Sequence, residues 1–138
     1  MQPAFRTYQQ QVVKNARVLA EALQKNGSRI VSGGTDNHLM LVDLRAQKVN
    51  GKEAQNALDK AGITVNKNLI PYDPEKPLVA SGVRLGTPAV TTRGMKENEM
   101  KEIANLISTV LVSIEDDVAL AGVREKVHRL TGQFPLLY

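Results

Sequence analysis

Apolar positions spaced three and four apart predict four helices in this chain. The first runs from about Phe5 to Lys25, with Val12, Val13, Ala16, Leu19, Ala20 and Leu23 on one stripe, and Asn26-Gly27 is a natural stop after it. The second runs from Gly51 to Ala61, and Gly62 ends it. Asn50 stands as its cap, Glu53 sits three residues on in capping-box spacing, and Val49 and Ala54 are placed as a staple. The third covers about Lys96 to Ile114 on Met100, Ile103, Ala104, Ile107, Val110 and Leu111. The fourth opens at Glu115-Asp116-Asp117, where carboxylates favour the positive helix end, and continues to Leu130, with Gly132 and Pro135 as terminators.

Between the helices lie strand-like runs at 29–31, 38–44, 63–65 and 83–86, the last ending before Pro88. The order helix, strand, strand, helix, strand, strand, helix, helix predicts an α+β fold: a small, mostly antiparallel sheet with helices on one face. Residues 66–82 follow no apolar period and contain Pro71, Pro74 and Pro77; a loop this long inside a compact domain points to function or to disorder. Residues 1–138 read as a single domain. The first helix, residues 1–26, is polar at its start and reads as able to reach beyond the α+β body at 27–138.

Composition narrows the functional classes. With 138 residues and 42% hydrophobic content the chain can bury a core, and with 4% aromatic residues and no Trp that core rests on Val, Leu, Ile and Ala. The net charge of +4 raises a nucleic-acid reading, but the basic residues are interspersed with acids, as in Lys96-Glu97 and Lys101-Glu102, and no aromatic platform accompanies them. The absence of Cys excludes disulfide and thiolate chemistry and permits a cytoplasmic home. No apolar stretch reaches the roughly 18 residues of a membrane span, and 1–5 lacks a signal-peptide pattern.

The most informative stretch for chemistry is Ser81 to Gly94. Arg84 lies within a strand-like run between Gly82 and Gly86, where a guanidinium would offer a planar fork to a carboxylate or phosphate; a surface Arg on an edge strand is the plainer alternative. His38 opens the strongest strand and reads as structural; His128 reads as surface. No residue spacing suits a metal, and Gly33-Gly34 reads as a turn rather than a phosphate loop. No catalytic apparatus is legible from spacing alone.

These residues carry a resemblance. Tyr8 to Ala16, Ser32 to Leu39, Gly51 to Ala54, Ile63 to Asn68 and Ser81 to Gly94 resemble, in order, five motifs of the small domain of bacterial serine hydroxymethyltransferases. The likeness is collinear from Met1 through Pro135. It implies the C-terminal domain of a fold-type I pyridoxal-phosphate transferase that interconverts serine and glycine with tetrahydrofolate, in the cytoplasm and as a homo-oligomer. It further implies that Arg84 binds the substrate carboxylate and that Asn68 contacts the folate. Leu78 stands where many bacterial members carry an aromatic residue, so the resemblance does not extend to that detail of folate packing. The family's large domain, with its cofactor lysine, has no counterpart among the lysines here, so the chain is expected to be inactive alone and not to hold pyridoxal phosphate covalently. The alternative is a stand-alone binding or interaction module without catalysis.

Overall fold

The computed structural model describes residues 3–31 and 38–135. Helix α1 (Pro3–Lys25) is followed by strands β1 (Arg29–Ile30) and β2 (Leu39–Asp43), a 3₁₀ turn at Arg45–Gln47, and α2 (Gly51–Lys60). Strands β3 (Asn66–Asn68) and β4 (Gly82–Gly86) come next, then α3 (Pro88–Thr92), α4 (Glu97–Leu111) and α5 (Asp117–Gln133). The four strands form one sheet in the order β1-β2-β4-β3, and each neighbouring pair is antiparallel. The α+β expectation holds.

Side chains alternate across a strand, so one face of this sheet carries Ile30, Met40, Val42, Val83 and Leu85, all buried. They join Ala16, Leu19 and Leu23 of α1, Ala54 and Leu58 of α2, Met100, Ala104 and Ile107 of α4, and Leu120 and Val123 of α5 in a single core. The other face bears Leu39, Leu41, Asp43, Gly82, Arg84 and Gly86, with Asn66 opposite Arg84 and Asn68 opposite Gly82.

The helix ends follow the sequence logic. Asn50 Oδ1 accepts from the Glu53 amide at 2.8 Å while Glu53 Oε1 accepts from the Asn50 amide at 3.1 Å, the reciprocal capping box. Asp116 Oδ1 accepts from the amides of Val118 and Ala119 at the start of α5. Helices α1 and α2 close in the same way. Gly27 and Gly62 adopt φ of 96° and 85°, and the next amides, Ser28 and Ile63, donate back to Leu23 and Leu58.

That closure corrects one expectation. Ile63-Thr64-Val65 is not a strand: the Ile63 amide is used to finish α2, and Ile63 and Val65 pack on the core as coil. The third strand is Asn66–Asn68 instead, inside the segment read as patternless loop. Two further boundaries shift and two elements are added: helix α4 stops at Leu111 rather than Ile114, α5 passes through Gly132 to Gln133, and the short α3 and the 3₁₀ turn join the expected order. On α1 the buried stripe includes Asn15, with Val13 only half-buried. The Gly33-Gly34 turn lies outside the described residues.

Asn15 is fully buried and polar, so it must be satisfied. Its Nδ2 donates to Thr91 Oγ1 (2.8 Å) and the Met95 carbonyl (3.0 Å), and its Oδ1 accepts from Gln11 Nε2 (2.8 Å). Thr91 Oγ1 donates to the Thr87 carbonyl, and Thr87 Oγ1 donates to the Val12 carbonyl. This network fastens α1 to the segment that follows β4.

Gly51 sets a further constraint. A Cβ there would lie 2.6 Å from the Gly82 carbonyl oxygen and 3.0 Å from that of Val79, both backbone atoms. Helix propensity alone favours Ala over Gly by about 1 kcal/mol, but overpacking against backbone costs about 1–3 kcal/mol. Gly51→Ala is therefore expected to lower the urea midpoint of unfolding; an unchanged or raised midpoint would show that the close approach is not tight.

Candidate functional site

Strand β4 is central in the sheet and takes Arg84 to the face without helices. Gly82 and Gly86, two residues to either side on the same face, leave the guanidinium without neighbouring side chains along its own strand. A Cβ at position 82 would meet the Val42 carbonyl at 2.8 Å and Ile70 Cγ2 at 2.9 Å, so Gly is required there for close packing. Arg84 is exposed, and no hydrogen bond or ion pair engages its guanidinium among the described residues. Directly across the ladder, Asn66 is exposed; diagonally across, Asn68 is half-buried, its Nδ2 donating to the Leu69 carbonyl at 2.9 Å. Its Oδ1 is left as a free acceptor among the described residues. Among the described residues the face therefore offers one cationic fork not already engaged, that of Arg84, and two amides, a set suited to a carboxylate and to a polar ring edge.

Two carboxylates flank this face, and each is already engaged. Asp43 is buried and accepts from Arg45 Nε at 3.1 Å and Nη2 at 2.8 Å, and from Arg29. Its pKa is lowered, chiefly by the Arg45 hydrogen bonds, which outweigh the opposing effect of burial. The two arginines compensate it, so Asp43 is a brace between β1, β2 and the 3₁₀ turn.

Asp73 sits within the Pro-rich segment. Its Oδ2 accepts from the amides of Ile70 (3.1 Å) and Ser81 (2.8 Å), and its Oδ1 from the Glu75 amide (2.8 Å) and Ser81 Oγ (2.7 Å). Partial burial would raise its pKa, but the four donors outweigh that and hold it at about 2. The signal for it in the sequence is an Asp in turn context, between Pro71 and Pro74, upstream of a Ser that closes the same loop.

The remaining candidates are placed elsewhere. The threonines and Arg93 of the Ser81–Gly94 stretch are structural: Thr87 and Thr91 belong to the buried network, and Tyr8 Oη bonds Thr92 Oγ1 at 2.8 Å. Arg93 donates to the carbonyls of Phe134 (2.7 Å) and Thr131 (3.1 Å) at the end of α5. His38 is exposed at the start of β2, in a shallow cleft with Phe5, Tyr8 and Pro88. No cluster of metal-ligating side chains occurs among the described residues, and no described helix is long and apolar enough to cross a membrane.

Fold and face together define a small α+β domain whose one-sided sheet displays an arginine, unpaired among the described residues, beside two asparagines. A family model described as serine hydroxymethyltransferase matches residues 1–107. The serine hydroxymethyltransferase of Myxococcus xanthus is 60% identical over 136 residues, covering 99% of this chain and 32% of that protein. Those of Acidovorax sp. strain JS42 and Paracidovorax citrulli are each 59% identical, over 99% and 97% of this chain and 33% and 32% of their own length. This chain belongs to the serine hydroxymethyltransferase family, and it spans about a third of the length of the curated relatives it matches.

The Asp73 geometry sets a pH dependence. A carboxylate whose pKa falls from 3.8 unfolded to about 2 folded contributes stability that is complete above 3.8 and disappears as pH falls through about 2. Urea midpoints measured between pH 5 and 2 (roughly the window in which such a shift acts) are expected to fall, with a shallower fall in Asp73→Asn. Parallel curves for the two proteins would remove Asp73 from the acid response.

Proposed function

We propose that this chain is the C-terminal small domain of a serine hydroxymethyltransferase, the transferase that interconverts serine and glycine using tetrahydrofolate. In this reading Arg84 holds the carboxylate of the amino-acid substrate and Asn68 contacts the folate. The observation that carries it is the exposed, unpaired guanidinium of Arg84 on the open sheet face, with the Asn66 and Asn68 amides beside it. The relatives, serine hydroxymethyltransferases by name, support the same reading. The parent protein would be a cytoplasmic homo-oligomer.

The cofactor implied by the family resemblance, pyridoxal phosphate, supplies electron-sink chemistry when bound. A lysine that forms a Schiff base is activated by desolvation or by a neighbouring cation. No described lysine is buried, so the described residues do not fit that role, and we assign this chain no step on the cofactor. Its contribution is orientation: a bidentate grip fixes the carboxylate, and with it the direction of the Cα substituents.

The test splices this chain onto the remaining two thirds of the Myxococcus xanthus enzyme and compares it with the Arg84→Lys form. Lys keeps the charge but loses the fork, and losing a hydrogen bond to a charged group costs about 1.5–3 kcal/mol. The KM for serine is expected to rise roughly ten- to hundred-fold. A serine KM within twofold of the unsubstituted hybrid would sink the assignment, as would a hybrid with no activity at all.

A further inference from the structure

The two proposed site residues sit on one hairpin whose strands are unequally secured. Strand β4 is bonded to β2 along five residue pairs and to β3 along three. Strand β3 has three residues, none fully buried, and lies at the sheet edge. Beyond its ladder, it is tied by the Lys67 amide donating to Gln55 Oε1 at 2.7 Å. A slip of one residue in so short a pairing would turn Asn68 to the opposite face of the sheet.

The connection between the strands, residues 69–81, is held in a strained conformation. Tyr72 and Ala80 both adopt φ of 56°, a left-handed conformation that costs a non-Gly residue about 1–2 kcal/mol. Its second half is tied to α2, because the Gly51 and Lys52 amides donate to the carbonyls of Ala80 and Val79. Its first half, which leads directly out of Asn68, has the buried Ile70 side chain and the Asp73 carboxylate. A single oxygen, Asp73 Oδ2, accepts from Ile70, two residues after Asn68, and from Ser81, three residues before Arg84. One atom thus joins the two ends of the hairpin loop.

From this we infer that Asp73 is a positioning residue: by clamping Ile70 to Ser81 it fixes Asn68 relative to Arg84 and so sets the geometry of the folate side of the site. The inference rests on the proposed function for Asn68 and Arg84. It has an asymmetric consequence. Arg84, paired on both sides of a central strand, keeps its place without the clamp, whereas Asn68 on the edge strand does not.

The experiment uses the same full-length hybrid enzyme with four variants, Asp73→Asn, Ser81→Ala, Asn68→Ala and Arg84→Lys, and measures KM for tetrahydrofolate and for serine separately. Asp73→Asn puts an amide donor where amide donors already point. It is expected to raise the tetrahydrofolate KM about tenfold while the serine KM stays within about twofold, since a displacement of about 1 Å suffices to impair a positioned contact. Ser81→Ala removes one of the four hydrogen bonds and should shift the same constant in the same direction by less. Equal movement of both KM values, or a loss of thermal stability with neither KM changed, overturns the positioning role. If Asp73→Asn does not fold, Ser81→Ala alone decides on the same split. An Asn68→Ala enzyme with unchanged tetrahydrofolate KM would instead refute the folate assignment of Asn68. A normal response from Asn68→Ala beside an inert Asp73→Asn refutes the clamp alone.

Discussion

The antiparallel ladder between β2 and β4 governs the molecule. Five consecutive pairs, Leu39 with Gly86 through Asp43 with Gly82, lock two strands whose buried apolar residues alternate. Because the side-chain period is two, burying Met40, Val42, Val83 and Leu85 against the helices forces Leu41, Asp43 and Arg84 to the other face. Arg84 is therefore exposed as a consequence of core formation. Moving it inward would require every buried residue of β4 to exchange places with it, at about 1.5–3 kcal/mol for each large apolar side chain brought into water.

The core face is completed by a polar device. Asn15 sits among Ala16, Leu19 and the start of α4, where an apolar residue would be ordinary, and its amide gathers Thr91, Met95 and Gln11. Gln11 Nε2 also reaches Glu97 Oε1 at 2.8 Å, which lowers the Glu97 pKa and ties the beginning of α4 to the same cluster. A buried, fully bonded amide specifies register in a way that an apolar contact does not, since a misplacement leaves several groups unpaired at about 1–3 kcal/mol each. It fixes α1 against the turn that follows β4, and hence the end of the strand bearing Arg84.

Much of this was legible from residue order. The capping box at Asn50 and Glu53, the Gly stops at 27 and 62 and the two longer strands depend on local chemistry, which sequence displays directly. Arg84 was legible as a candidate because glycines bracket it. Strand β3 was not: Asn66-Lys67-Asn68 has no apolar residue and poor strand propensity, and it pairs only because β4 offers an edge. Tertiary context made that strand, and with it the position of Asn68. Asn15 was hidden for the opposite reason, since a polar residue on an apolar stripe reads as a break in the pattern until its partners, distant in sequence, are seen. Asp73 was hidden because its four donors come from three residues of its own loop, whose backbone geometry no periodicity reports.

Under the proposed reading, the open face also bears on how strongly Arg84 could hold a carboxylate. A guanidinium and a carboxylate that meet in water gain only about 0–1 kcal/mol, because both remain hydrated and are screened by salt. The same pair in a site closed to water is far stronger, since the local dielectric falls and charge-assisted hydrogen bonds are no longer in competition with solvent. Arg84 has nothing above it that could exclude water among the described residues, while the chain spans about a third of the length of its relatives. Under the proposed reading, the missing two thirds provide the lid as well as the cofactor. Selectivity for an amino-acid carboxylate then belongs to neither part alone: this domain fixes the fork and its direction, and closure supplies the dielectric that makes the fork bind.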